Sequence, residues 1–264
     1  MSDLHLNYIP KAGSLDGRVI LVTGSGDGIG RAVAKAYASF GATIVLLDKT
    51  IDKLEKVYDE ITEAGHPEPA IYPLDMAGAT VHDYLEMSRI LKEQLNGLDG
   101  LVLNAAWMPG FVPFEQYDLE MWQKTMTVNL TANYLITQAC LPLLLDSKMG
   151  SIIHSAHEVT RAYSGAFGIA KAGMVAMMDI VGDEYGNPDR FIRVNSIDSG
   201  PLRTEMRRSS YPGENRDTLA SPESVLGPYL YFMSDDAGRV TGEKVSLGKL
   251  DADFQWPGLT TEQA

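Results

Sequence analysis

Short runs of apolar, often β-branched residues alternate along this chain with longer stretches whose apolar positions recur every three or four residues. Each short run, bounded by glycine or polar residues, reads as a buried strand, and each longer stretch reads as a helix. The strand candidates are residues 19–22, 43–47, 70–74, 101–103, 151–155, 191–197 and 244–247. Between them the spacing predicts helices over 29–40, 50–64, 80–95, 121–130, 132–145, 168–185 and 223–233, the first ended by Gly41. Strands that alternate with helices predict an α/β fold with a mainly parallel sheet covered on both faces. Right-handed crossovers make that sheet doubly wound, here with seven strands. All 264 residues are expected in a single domain, with an N-terminal extension over 1–14 and a C-terminal tail over 251–264. Residues 202–221, punctuated by Pro212 and flanked by Pro201 and Pro222, read as a polar loop.

The first strand-to-helix turn carries Thr23-Gly24-Ser25-Gly26-Asp27-Gly28-Ile29-Gly30. Glycines there let the backbone bend tightly and approach a pyrophosphate, which the following helix N-terminus attracts through free N–H groups and its dipole. Asp48 follows the second strand about twenty residues on, where an acid accepts hydrogen bonds from the adenosine ribose. The combination points to a dinucleotide-binding Rossmann fold. A carboxylate at that place repels a 2′-phosphate, so NAD is expected ahead of NADP, although Lys49 beside it is a cation that could pair with the phosphate.

With these residues in order, the chain resembles the short-chain dehydrogenase/reductase family over nearly its whole length. The glycine turn is similar to that family's T-G-x-x-x-G-x-G pattern, and Asp75-Met76 to its adenine-contacting acid. Asn104-Ala105-Ala106 resembles its N-N-A-G stretch imperfectly, since Leu103 and Ala106 replace Asn and Gly. Asn129 matches its structural and catalytic asparagine. Gly200, Pro201, Leu202 and Thr204 match the loop beyond its sixth strand, with Ser199 where it usually has proline. The Tyr8-Ile9-Pro10 lead-in is similar to the bacterial YciK-type branch. The resemblance implies hydride transfer between a nicotinamide cofactor and an alcohol or carbonyl compound. It also implies a homodimer or homotetramer built through the helices at 132–145 and 168–185, and a substrate-covering loop over 202–221.

The catalytic centre departs from that pattern. The family couples hydride transfer to a proton carried by a tyrosine, with a lysine four residues later and a serine on the strand before. Lys171 matches the lysine, and as such would also hold the ribose, but Phe167 stands at the tyrosine position and has no titratable proton. Three side chains are candidates for the missing chemistry. His157 suits acid–base work near neutral pH, Tyr163 lies one helical turn before Phe167, and Ser155 offers a hydroxyl. Each also has an ordinary structural role open to it: a backbone-bonded loop histidine, a half-buried tyrosine, a strand-end serine. The expected activity is an NAD(P)-dependent oxidoreductase with a relocated proton donor. A nucleotide-binding pseudoenzyme (scaffold or sensor) and a non-redox lyase on the same fold stay open beside it.

Composition narrows the partners more than the substrate. A formal net charge of -13 repels phosphate backbones and anionic lipid, so neither nucleic acid nor membrane is expected as a partner. No segment suggests a membrane span, and the first residues lack the apolar run of a signal peptide. The single cysteine, Cys140, reads as a core thiol and fits a cytoplasmic setting. No metal is expected, because His154 and His157 would point to opposite faces of a strand with no acid or cysteine completing the set. Arg203, Arg207, Arg208 and Arg216 in the loop suggest either solvent-exposed charge or an anionic substrate.

Overall fold

The computed structural model of the chain describes residues 5–258. Seven strands form one sheet: β1 (Val19–Thr23), β2 (Thr43–Asp48), β3 (Ala70–Pro73), β4 (Gly100–Leu103), β5 (Ser151–Ala156), β6 (Arg193–Asp198) and β7 (Lys244–Ser246). Their order is β3-β2-β1-β4-β5-β6-β7, and every neighbouring pair is parallel. Both faces are covered, which is why the central strands are apolar at consecutive positions. Ile20 and Val22 pack on the face held by α1 (Gly28–Ser39), α2 (Ile51–Glu63) and α8 (Leu226–Met233). Leu21 faces the other side, under α3 (Val81–Leu95), α5 (Ala132–Asp146) and α6 (Gly165–Glu184).

Several expectations need adjustment. The two helices at 121–130 and 132–145 are one continuous length, Leu119–Asp146, in which α4 (Leu119–Met126) passes through a π-helical turn at Thr127–Thr131 into α5. That length and α6 are both long and apolar enough to span a membrane, contrary to the sequence reading, but they pack against one face of the sheet, with about half of each apolar stretch buried there. α6 starts a turn earlier than its spacing suggested, at Gly165. Inside the 202–221 loop lies a short helix, α7 (Glu205–Ser210), whose charged sequence shows no apolar period; Thr204 caps it by accepting the Arg207 amide at 3.2 Å. Phe191 makes only an isolated bridge to Gly186, so β6 begins two residues later than expected.

The two extensions meet at one place. Tyr8 hydroxyl bonds Asp236 at 2.8 Å, and Trp256 Nε1 donates to the Tyr8 carbonyl at 2.8 Å while its ring meets Phe40 edge-on. The tail is thus docked as far as the description reaches; residues 259–264 of it, and 1–4 of the leading segment, lie outside the described residues.

Candidate active site

The strand order reverses between β1 and β4, and in open parallel sheets the crevice outside the carboxyl ends of such strands is where ligands bind. Two cavities lie along that edge and share Ala106. The first, about 130 Å³, is lined by Gly24, Asp48, Lys49, Asp75, Met76 and Ala105, together with Trp107 and Lys124. The second, about 90 Å³, is lined by Ile29, Asn104, Ser155, Ala156, His157, Phe167 and Lys171, and by Gly200, Pro201, Leu202 and Thr204 across from them. A larger cavity of about 620 Å³ opens at the opposite end of the strands. Several of its polar groups are paired: Lys92 with Asp146, Arg18 with the Met233 carbonyl and Asp235, Asp99 with the Val19 amide and the Ser147 hydroxyl.

The glycine turn is shaped as a cradle. Gly24 has φ +66, and a Cβ on it would come within 2.9 Å of Ala105 Cα. A Cβ on Gly30 would stand 2.1 Å from the Gly24 carbonyl oxygen, so the first turn of α1 can press against the turn after β1 only where it has no side chain. That space, at a helix N-terminus, suits a dinucleotide pyrophosphate. Thr23 and Ser25 serve it from behind and are fully buried. Thr23 Oγ1 accepts the amides of Asn104 and Ala105, both at 2.9 Å, and Asn104 Nδ2 returns a bond to the Thr23 carbonyl. Asp27 caps α1 through the Gly28 amide at 2.7 Å and pairs with Lys53 at 2.6 Å. Burial pushes its carboxyl up, but Lys53 and the amide outweigh that and hold it below the usual range. Half-buried Asp48 accepts the Thr50 amide at 3.1 Å beside the exposed Lys49, and Asp75 accepts the Ala77 amide at 3.0 Å.

At the other end of the crevice, Lys171 is 7% exposed and donates to the Ser155 carbonyl at 3.1 Å. Burial lowers it to about 8, with Asp198 pulling the other way. Phe167 is completely buried, its ring 5.9 Å from the Lys171 ammonium and 6.2 Å from the His157 ring. His157 follows the last residue of β5 and turns Nδ1 toward Asp198 Oδ1, at 3.9 Å. Asp198 ends β6 and pairs in register with Ala156. It also accepts the Gly200 amide at 3.0 Å and the Glu158 amide at 3.1 Å. Burial raises this carboxyl, yet His157 and the two amides prevail and keep it below the ordinary value.

Ser155 points to the opposite face, where its hydroxyl meets the Tyr229 hydroxyl at 2.7 Å; burial drives that phenol far up. Tyr163 is not brought to the cavity: it is 59% exposed, at φ +70, with its carbonyl accepting the Val112 amide. Asn129 is buried at the π-helical turn and spends its amide on backbone, bonding Trp107 N and O at 3.0 and 2.8 Å and the Thr125 carbonyl at 2.8 Å. It anchors the loop after β4 rather than facing the cavity. His154 lies in the core with Nε2 unpartnered, its pKa pushed well down by burial and then by Lys171. Among the described residues no metal-ligating cluster converges. Cys140 is buried, and desolvation raises its thiol to about 12.

Some of this arrangement was missed in the sequence. Asp198 sits at the end of a buried strand, and only the register of β5 with β6 places it beside His157. The signal available was its position at a carboxyl strand end, where site residues emerge. Over the second cavity, Tyr211 stacks on Arg207 at 3.5 Å, meets Phe111 edge-on, and accepts a bond from Arg161 at 2.6 Å. Arg207 and Arg208 are neutralised by Glu214 and Glu205. These contacts join three loops distant in sequence.

Comparison with known proteins agrees with this geometry. The family model described as short chain dehydrogenase matches residues 18–215. The uncharacterized oxidoreductase YciK of Escherichia coli K12 is 37% identical over 240 residues, covering 90% of this chain and 94% of its own. A short chain dehydrogenase from Escherichia coli CFT073, solved with NADPH, superimposes with a TM-score of 0.85 at 37% identity, covering 90% and 99% of the two chains. Another from Shigella flexneri 2a, solved with NADP, has a TM-score of 0.85 at 36% identity, covering 89% and 99%.

Proposed function

The chain belongs to the short-chain dehydrogenase family, and from that premise we propose an NAD-dependent oxidoreductase acting on an alcohol or carbonyl compound with an unusual proton donor. The observation that carries this reading is that His157, Phe167 and Lys171 line one cavity, so an imidazole stands beside the place where the family's tyrosine is absent. The glycine cradle, Asp48 and Asp75 would hold the adenosine end of a nicotinamide cofactor, and Lys171 its second ribose. Such a cofactor supplies or takes up the hydride. His157 gives or receives the proton at substrate oxygen, Phe167 keeps water from the reacting face, and Asn129 fixes the loop that walls the site.

The preference for NAD rests on Asp48, which lines the first cavity and whose carboxylate would repel a 2′-phosphate there. The relatives solved with NADP and NADPH do not favour NAD over NADP, so the preference is carried by Asp48 alone. Two other readings have some support. The missing phenol favours a nucleotide-binding pseudoenzyme, and a lyase could use His157 in the same cavity without hydride transfer. Self-association through α5 and α6 is part of the proposal.

The test is a fluorescence titration with NADH and NADPH, followed by a carbonyl screen. NADH is expected to bind more tightly, Asp48→Ala to narrow the gap, and His157→Ala to abolish turnover while cofactor still binds. Full activity in His157→Ala would remove it as donor, and absence of binding by either cofactor would overturn the reading as a whole.

A further inference from the structure

We infer that Asp198 is the positioning residue of the relocated proton donor: its carboxylate fixes the tautomer of His157, so that Nδ1 carries a hydrogen toward Asp198 and Nε2 faces the substrate. The inference rests on the proposed role of His157 and names the second residue that role requires. A histidine that handles protons needs one nitrogen committed, and a hydrogen-bonded carboxylate is the usual means.

Asp198 is built for that task. Gly200 and Glu158 donate amide hydrogens to its two oxygens, so the carboxylate is held on the Asp198 side of the His157 ring by backbone. Oδ1 is the oxygen that faces His157 Nδ1, at 3.9 Å, longer than a hydrogen bond and of the kind that tightens when substrate is bound. The His157 side chain keeps 29% of its surface exposed, so the ring has room to turn and to meet substrate. The charged and titratable groups around the pair come from every neighbouring element: Lys171 on α6, His154 on β5, Glu158 in the loop itself, and Arg207 and Tyr211 across the cavity. Asp198 also raises Lys171 and His154 against their burial, so it partly offsets the desolvation of the lysine.

In the direction of reduction, a nicotinamide cofactor held by the glycine turn and Lys171 would supply the hydride, and Nε2 of His157 would give the proton to the carbonyl oxygen. The imidazolium becomes a neutral imidazole that keeps its hydrogen on Nδ1, against Asp198. Water returns a proton to Nε2 before the next cycle. Oxidation of an alcohol runs these transfers in reverse.

The experiment is nitrogen-15 NMR of the full chain labelled in histidine, with the His157 signals identified by their loss in His157→Ala. In alkaline buffer, where imidazole is neutral, the wild-type ring is expected as the Nδ1–H tautomer in at least about tenfold excess, the ratio a charge-assisted hydrogen bond sustains. Asp198→Ala is expected to shift the ring toward Nε2–H. An Nε2–H tautomer in the wild type overturns the inference with no variant needed, and an unchanged tautomer in a folded Asp198→Ala overturns it as well. Should the Nδ1–H tautomer be found while no carbonyl is turned over, the pairing stands and the oxidoreductase reading falls.

Discussion

Lys171 is charged below about pH 8 and lies almost wholly out of water. No carboxylate touches it among the described residues; its hydrogen bond goes to a carbonyl, so desolvation is only partly offset. The fall from the ordinary lysine value to about 8 corresponds to roughly 3 kcal/mol of lost stability when the charge is present in both folded and unfolded states. That loss is complete below about pH 8. Between about 8 and the ordinary lysine value, the folded protein has released its proton and the unfolded chain has not, so stability rises with pH across that window. Lys171→Met is therefore expected to be more stable than the wild type by about 1–3 kcal/mol at neutral pH, with a smaller gain near pH 9.5. Urea melts at both pH values measure this, and a variant less stable at neutral pH would contradict it. NADH affinity is expected to fall in the same variant, which separates the function of the residue from its cost.

At the scale of elements, the crevice is closed by loops and the short α7, held together through stacking. Tyr211 lies against Arg207, Phe111 and Arg161, which come from three different segments. Two cation–π contacts of this kind contribute about 1–2 kcal/mol together. Tyr211→Ala is then expected to raise tryptic cleavage at Arg207 or Arg208 by about tenfold, and Tyr211→Phe by less, because the ring remains. Equal cleavage in wild type and Tyr211→Ala would show that the stack does not hold the loop. The strands and long helices around this loop were legible in the sequence to within a few residues, since a buried parallel sheet writes its pattern directly into apolar runs. The glycine turn with Asp48 was legible for the same reason, each residue having a fixed place relative to a strand end. The stack was not, because only Arg207 and Tyr211 share a helical spacing, and no period links them to residues 111 and 161. α7 escaped as well, being six residues long with no apolar face. The direction of Ser155 depended on the pleat of β5, and its partner Tyr229 arrives from a helix more than seventy residues later.

For the whole molecule, a net charge of -13 makes random association of copies unfavourable, so any stable self-contact needs a surface that concentrates apolar area. α6 has one. Its exposed positions include Ile169, Ala172, Ala176 and Ile180, recurring every three or four residues along one stripe, with Ile180 58% exposed. Tyr134, 47% exposed, adds apolar area at the start of α5, just past the π-helical turn that packs against α6. The acid next to the stripe, Asp179, is tied to Lys244 at 2.7 Å and so intrudes less than a free carboxylate would. A two-fold contact repeats each residue across the axis, so one substitution places two like charges in the same interface. Ile180→Asp is accordingly expected to shift a dimer or tetramer toward monomer at micromolar concentration in light scattering, while the far-ultraviolet circular dichroism stays that of the folded chain. A monomeric wild type would show that the stripe stays exposed in solution, and an unshifted Ile180→Asp would move the interface to another face.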